Sequence, residues 1–133
     1  MTYFLDTNMC IYYLKGSYEQ VRTHLLERRP EEIKIPSIVK AELLYGAEKS
    51  RRKGENRKAI GAFLFPFEII PFGDEEAVHY SVLRSAQETK GELLGPNDLI
   101  IASTIMAREG ILVTHNEREF GRIEGLEMED WTR

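Results

Sequence analysis

Asp6, Glu42, Asp98 and Glu119 are the side chains of this sequence whose type and placement could do chemistry together. Each falls where a predicted strand gives way to a helix, or in the early turns of a helix. No basic residue is an immediate neighbour of Asp6, Glu42 or Asp98, so converging negative charge there requires an ion rather than a local salt bridge. Two carboxylates ~4 Å apart repel by about 4 kcal/mol at an effective dielectric near 20. Hard oxygen donors suit Mg²⁺ or Mn²⁺, and three separated histidines with one cysteine do not make a zinc site. The chemistry such a cluster supports is metal-assisted hydrolysis of a polyanion.

Each acid also has a plainer explanation. Asp6 is a favoured helix N-cap residue, and Asp98 complements a helix dipole. Glu42 shares a helix face with Ile38 by i+4 spacing and with Tyr45 by i+3, which fits solvent exposure less well. Glu119 lies in the polar run His115-Asn116-Glu117-Arg118-Glu119, where Glu117 is its rival. The functional reading therefore rests on the joint arrangement.

The elements that must position these acids follow from periodicity and punctuation. Tyr3-Phe4-Leu5 predicts a short buried strand, and Asp6-Thr7-Asn8 caps the apolar stretch Met9 to Leu14. Lys15-Gly16-Ser17 ends that helix and starts a second, from about Tyr18 to Arg28, with Val21, Leu25 and Leu26 on one face. Ile33-Lys34-Ile35 predicts the second strand. Pro36-Ser37 then opens a long helix with an apolar stripe at Ile38, Ala41, Leu44 and Tyr45, broken at Gly54. A helix over about Glu55 to Leu64 precedes a third strand at Glu68-Ile69-Ile70.

Asp74 caps a helix to about Lys90 with Ala77, Tyr80, Val82 and Leu83 as core candidates and Ser81 and Glu88 outside. Gly95-Pro96-Asn97 introduces a helix from about Asp98 to Glu109, which Gly110 stops before the buried strand Ile111-Leu112-Val113. A helical turn at Glu117 to Phe120 and an edge strand near Leu126 to Met128 follow. Alternation of strands and helices predicts an α/β fold with a mostly parallel sheet covered on both faces. Ligands bind such sheets beyond the carboxyl ends of the strands, and all four acids can reach that rim.

At 133 residues the chain is expected to form one domain, residues 1–133, with a real core. No apolar run approaches the roughly 20 residues that cross a bilayer, and the N-terminus enters a strand without the features of a secretory leader, so a cytoplasmic protein is expected. Cys10 cannot form an internal disulfide and reads as a small buried hydrophobe. The net charge of −4 argues against a nucleic-acid partner, but its distribution does not. Lys49, Arg51, Arg52, Lys53, Arg57 and Lys58 face only Glu55, giving this stretch a charge of +5. It is either a solvated helical face or a backbone-binding stripe beside the acids.

With these residues in view, the chain resembles the PIN-domain ribonucleases that act as VapC-type toxins of toxin–antitoxin pairs. The resemblance covers nearly the whole sequence: Phe4-Leu5-Asp6-Thr7-Asn8, the helix from Ser37 through Glu42 to Gly46, Gly95-Pro96-Asn97-Asp98 through Ala102, and Val113-Thr114-His115-Asn116 through Phe120 stand in that family's order and spacing. It implies a three-layer α/β/α sandwich, with Asp6, Glu42 and Asp98 as metal-site acids, Thr114 as polar support, and Mg²⁺ or Mn²⁺ on Asp6 and Asp98. Many PIN domains have aspartate where this chain has Asn116, which makes Glu119 the nearest acid able to complete the set. The resemblance further implies cleavage of single-stranded RNA, in this branch the anticodon loop of initiator tRNA, with Lys49, Arg51, Arg52 and Lys53 on its backbone. It also implies a VapB-type antitoxin whose tail offers an arginine to the carboxylates, and a homodimer in which Ile11, Tyr12 and Leu14 are contacts unless they are core.

Three other readings stay open on the sequence. Asn116 keeps alive a catalytically impaired PIN-like protein that binds RNA or a partner. A metal-independent ribonuclease would use His115 or His24 as base and leave cyclic phosphates. A receiver-like regulatory module would need paired acids after the first strand and a late lysine, which are absent.

Overall fold

Tyr3-Phe4-Leu5 and Ile111-Leu112-Val113 are apolar at consecutive positions, so each needs cover on both faces, as strands of a parallel sheet between helices do. In the computed structural model, which describes residues 1–133, both are buried at every position. The elements run β1 (Tyr3–Leu5), α1 (Thr7–Lys15), α2 (Glu19–Leu26), β2 (Ile33–Pro36), α3 (Ser37–Glu48), α4 (Lys53–Leu64) and β3 (Glu68–Ile70). They continue with α5 (Asp74–Lys90), α6 (Pro96–Arg108), β4 (Ile111–Val113), α7 (Glu117–Phe120) and β5 (Glu127–Glu129). The strands lie in the order β3-β2-β1-β4-β5, and all four pairings are parallel.

From β1 the chain moves outward to β2 and β3, then returns to place β4 on the other side of β1. That reversal leaves a crevice beyond the carboxyl ends of β1 and β4. Register fixes what flanks it: Leu5 stands opposite Val113, so Asp6 and Thr114, the next residues, are neighbours. Beneath them lie Phe4, Leu5, Leu112, Val113, Leu99 and Ile105, all essentially without exposure. Burying side chains of this size stabilises by roughly 1.5–3 kcal/mol each. Inside α6, Ser103 and Thr104 are also buried, and their hydroxyls donate to the carbonyls of Leu99 and Ile100 at 2.7 and 2.8 Å.

Several local expectations are corrected. The buried row of α3 is Val39, Leu43 and Ala47, while Ile38 and Leu44 are half-buried and Ala41 and Tyr45 exposed, Tyr45 by 65%. This helix is apolar on most sides, so periodicity alone does not choose its face. It ends at Glu48 rather than Gly54, because Ser50 turns back on the carbonyl of Ala47, its hydroxyl donating at 2.6 Å; Gly54 sits in the first turn of α4. In α5 the fully buried residues are Glu76 and Gln87, whereas Ala77 is exposed and Val82 is 64% exposed. Glu76 accepts from the Gly73 amide and from Arg108, both at 3.0 Å, and Gln87 donates to the Arg122 carbonyl at 3.0 Å. Polar groups thus take the inner face there, Glu76 with both oxygens bonded and Gln87 through its N–H alone, its buried Oε1 having no partner.

Glu109, not Gly110, takes the left-handed conformation that ends α6, with φ 54°. Gly110 is needed for a different reason: a Cβ there would lie 2.4 Å from the Phe4 ring.

Candidate active site

Asp6 ends β1 and caps α1, its Oδ1 accepting the Met9 amide at 2.9 Å. A cap uses one oxygen. The other, Oδ2, accepts the Thr114 hydroxyl at 2.6 Å across the β1–β4 register. Asp6 therefore caps α1 and bonds across to the end of β4 at once. Its burial pushes the carboxyl up to about 6; Thr114 and Met9 oppose this, while the charges of Asp98 and Glu42 add to it. Thr114 in turn accepts the Asn116 amide at 2.9 Å, which ties the loop after β4 to the same point.

Glu42 lies in the second turn of α3, and its carboxylate joins the starts of two other helices. Oε1 accepts from the Thr7 hydroxyl, and Oε2 accepts from the Asn97 amide at 3.1 Å. Asp98, half-buried in the first turn of α6, has its carboxyl raised above the ordinary value, by burial first and then by the charges of Glu119 and Glu42. Glu119 accepts the Asn116 side-chain amide at 3.0 Å, whereas Glu117 pairs with Arg133 at 3.2 Å. Of the two glutamates, Glu119 is the one whose charge acts on Asp98. Asn116 acts as a donor that places Glu119. Thr7 and Asn97 were not singled out as functional from sequence; their signal was adjacency to Asp6 and Asp98 in the runs Asp6-Thr7-Asn8 and Asn97-Asp98.

The four sequence-predicted acids are thus brought into one electrostatic unit. Asp6 feels Asp98 and Glu42, Asp98 feels Glu119 and Glu42, and no lysine or arginine offsets either aspartate. This donor set fits a hard divalent cation, since all its ligating atoms are oxygen and its negative charge lacks a partner. As placed, no three His, Cys, Asp or Glu side chains enclose one ion, because Asp6, Glu42 and Glu119 are each drawn to a neighbouring donor.

The basic stripe is less bare than its sequence suggests. Lys53 and Arg57 reach Glu48 at 3.4 and 3.3 Å, and Arg52 reaches Glu55 at 3.6 Å. Lys49 lies over the Tyr45 ring, 4.9 Å from its centroid. These pairs are exposed and individually weak, so the cations stay available to an incoming anion. A groove of about 430 Å³ runs from Glu42 past Leu43 and Ala47 to Ser50, walled opposite by Ile11, Leu14 and Ile60. Cys10 is fully buried and its thiol is pushed up by burial, which removes it from chemistry. No helix is long and apolar enough to cross a membrane.

The chain matches the PIN domain family over residues 3–126. It is 41% identical to the protein named Ribonuclease VapC2 of Rickettsia felis over the full length of both, and 35% identical to the tRNA(fMet)-specific endonuclease VapC of Salmonella typhimurium over 98% of both. Its fold superposes on a chain in the crystal structure of VapBC2 from Rickettsia felis, bound to a DNA fragment from its promoter, with a TM-score of 0.93 and 40% identity, covering 98% of this chain and 99% of that one. A crevice flanked by four coupled acids at the turning point of a parallel sheet, with relatives of this closeness along its whole length, places the chain in the PIN-domain family, in its VapC branch.

Proposed function

We propose that the protein is a Mg²⁺- or Mn²⁺-dependent endoribonuclease toxin that acts in the cytoplasm on unpaired RNA, with the anticodon loop of initiator tRNA as its substrate. The observation that carries this reading is the Asp6–Thr114 contact at the sheet's turning point, around which Glu42, Asp98 and Glu119 share one electrostatic field. The named activities of the Rickettsia felis and Salmonella typhimurium relatives support it.

Asp6 and Asp98 would hold the cation, which supplies Lewis-acid activation of water and stabilises charge on the leaving oxygen. Thr114 holds Asp6 in the orientation its ligand oxygen needs, and Thr7 with Asn97 fixes Glu42. Asn116 positions Glu119, so Glu42 and Glu119 order the attacking water from the sides of the crevice. A water oxygen bonds to phosphorus, releasing its proton to solvent, as the bond to the 3′-oxygen breaks. That oxygen takes a proton from solvent, leaving 3′-hydroxyl and 5′-phosphate ends. Lys49, Arg51, Arg52 and Lys53 would carry the flanking backbone.

A VapB-type antitoxin is the expected inhibitor. The groove ending at Glu42 accepts an apolar helix, and an arginine beyond it would meet the carboxylates. The VapBC complex of the Rickettsia felis relative supports such a partner.

Purified protein is incubated with initiator tRNA, with Mg²⁺ or with EDTA, and the new ends are sequenced. Cleavage that requires the cation and leaves 5′-phosphates is expected, and Asp6→Asn should abolish it. Cutting in EDTA with cyclic phosphates would transfer the chemistry to a histidine base, and binding without cutting would identify an impaired PIN-like protein.

A further inference from the structure

Within reach of the Asp6 charge, three aromatic rings meet. Tyr12 and Tyr18 stand edge-on with centroids 4.8 Å apart, and His115 completes the group at 6.2 Å from Tyr12 and 5.9 Å from Tyr18. Neither tyrosine is fully buried, and the His115 side chain is 48% exposed. Packing on the core accounts for the tyrosines, which both touch it. It does not account for His115.

That ring has its own support. Its Nδ1 lies 2.9 Å from Oδ2 of Asp130, whose side chain is only 3% exposed. The other Asp130 oxygen accepts the backbone amide and the hydroxyl of Thr132 at 2.9 and 2.6 Å. Burial pushes the Asp130 carboxyl up, but the bonds from Thr132 and His115 outweigh it and hold the group below its ordinary value. A buried carboxylate tethering an exposed imidazole fixes the ring plane and leaves Nε2 without a protein partner.

Position ties this group to the site. His115 stands between Thr114, which holds Asp6, and Asn116, which holds Glu119. Tyr12 lies six residues along α1 from Asp6, about 9 Å of helical rise. Its phenol is raised by burial, then by the neighbouring Tyr18, Asp6 and Asp130. Unpaired RNA bases bind proteins by stacking on such rings, whichever base is presented.

Resting on the ribonuclease reading above, we propose that Tyr12, Tyr18 and His115 form a platform on which one unpaired base beside the scissile phosphate stacks, with His115 the outermost ring. The base is splayed from its neighbours there, which presents the adjoining phosphodiester to the carboxylates. Nε2 of His115 is free to bond a base edge or phosphate.

The test uses the Asp98→Asn protein, expected to bind without cutting, and an initiator-tRNA anticodon hairpin carrying a fluorescent adenine analogue at successive loop positions. Quenching at one position is expected. His115→Ala should abolish that quench and weaken binding about tenfold, while His115→Phe, which keeps a ring, should restore most of both. In the cutting-competent chain, His115→Ala should raise KM about tenfold and leave kcat within about twofold. Thermal melts check that the variants fold. Unchanged binding in His115→Ala, or equal losses in the Ala and Phe variants, overturns the platform. If the unsubstituted protein cleaves the hairpin while His115→Ala leaves KM unmoved, the platform alone falls. If it neither binds nor cuts any RNA, the ribonuclease reading falls and takes the platform with it.

Discussion

Without a divalent cation, Asp6 should make this protein less stable as the pH rises, the reverse of what an ion-paired carboxylate does. Its carboxyl sits at about 6 in the folded chain against an ordinary 3.8. Between these values the native state keeps a proton that the unfolded state has released, so native stability falls as pH climbs through that window. Below it both states are protonated and the effect vanishes; above it the full deficit is present. A gap of about two units corresponds to about 3 kcal/mol, and in a chain of this length to about 10 °C in Tm. Asp98, also raised, acts in the same direction. Glu76 and Asp130 are held low and contribute the opposite slope, chiefly at more acid pH.

Asp6→Asn isolates the effect, because the amide imitates the protonated acid. Its oxygen can still accept the Met9 amide, and its NH₂ can donate to the Thr114 hydroxyl, which turns to accept. In EDTA, urea unfolding at about pH 4.5 and about pH 7.5 should find the variant about 1 kcal/mol more stable than the unsubstituted protein at the lower pH, and about 3 kcal/mol more stable at the higher. Saturating Mg²⁺ should shrink that advantage, since only the carboxylate binds the ion. Unsubstituted protein whose stability is flat or rises across the window would refute the reasoning. So would a variant that retains the full slope.

Four shorter predictions use other contacts. Mg²⁺ at about a hundred times its Kd should stabilise the protein by about 2.7 kcal/mol, a gain that calorimetry should find reduced in Asp98→Asn. Thr114→Val strips Asp6 Oδ2 and the Asn116 amide of one partner each, and should cost about 1–3 kcal/mol at neutral pH in urea unfolding, and less at acid pH. Gly110→Ala drives a methyl group into the Phe4 ring and should cost about 1–3 kcal/mol by the same assay; a change under about 0.5 would show that the ring yields freely. Val82→Asp, on an exposed face of α5, should stay within about 0.5 kcal/mol, whereas a core position there would cost far more.

The two central strands, and the placement of Asp6 and Thr114 at their ends, are legible in the sequence for one reason. Consecutive apolar residues at Tyr3 to Leu5 and Ile111 to Val113 mark strands buried on both faces, and a polar residue directly after such a strand must emerge at the sheet's rim. Asp6 and Thr114 are those residues, and parallel register makes them neighbours. The inner faces of α3 and α5 were not legible. In α3, apolar residues surround most of the helix, so which row meets the sheet is decided by tertiary packing. In α5, Glu76 and Gln87 turn inward because Arg108 and the Arg122 carbonyl, both on other segments, bond to them, beside the Gly73 amide at the start of the same helix. A pattern of apolar spacing has no term for a distant partner.

The same limit hides how the acids are held. Glu42 owes its orientation to Thr7 and Asn97, which come from two other helices, and His115 owes its orientation to Asp130 near the far end of the chain. Spacing within one helix could suggest that Glu42 was not simply solvent-facing, but not what it faced. In both cases a charged or titratable side chain at the crevice is steered by hydroxyls, amides or a buried carboxylate from elsewhere. Those supports leave Asp98 the acid whose raised carboxyl no hydrogen bond offsets. Losing it should therefore reduce ion-dependent stabilisation while leaving the Asp6–Thr114 contact intact.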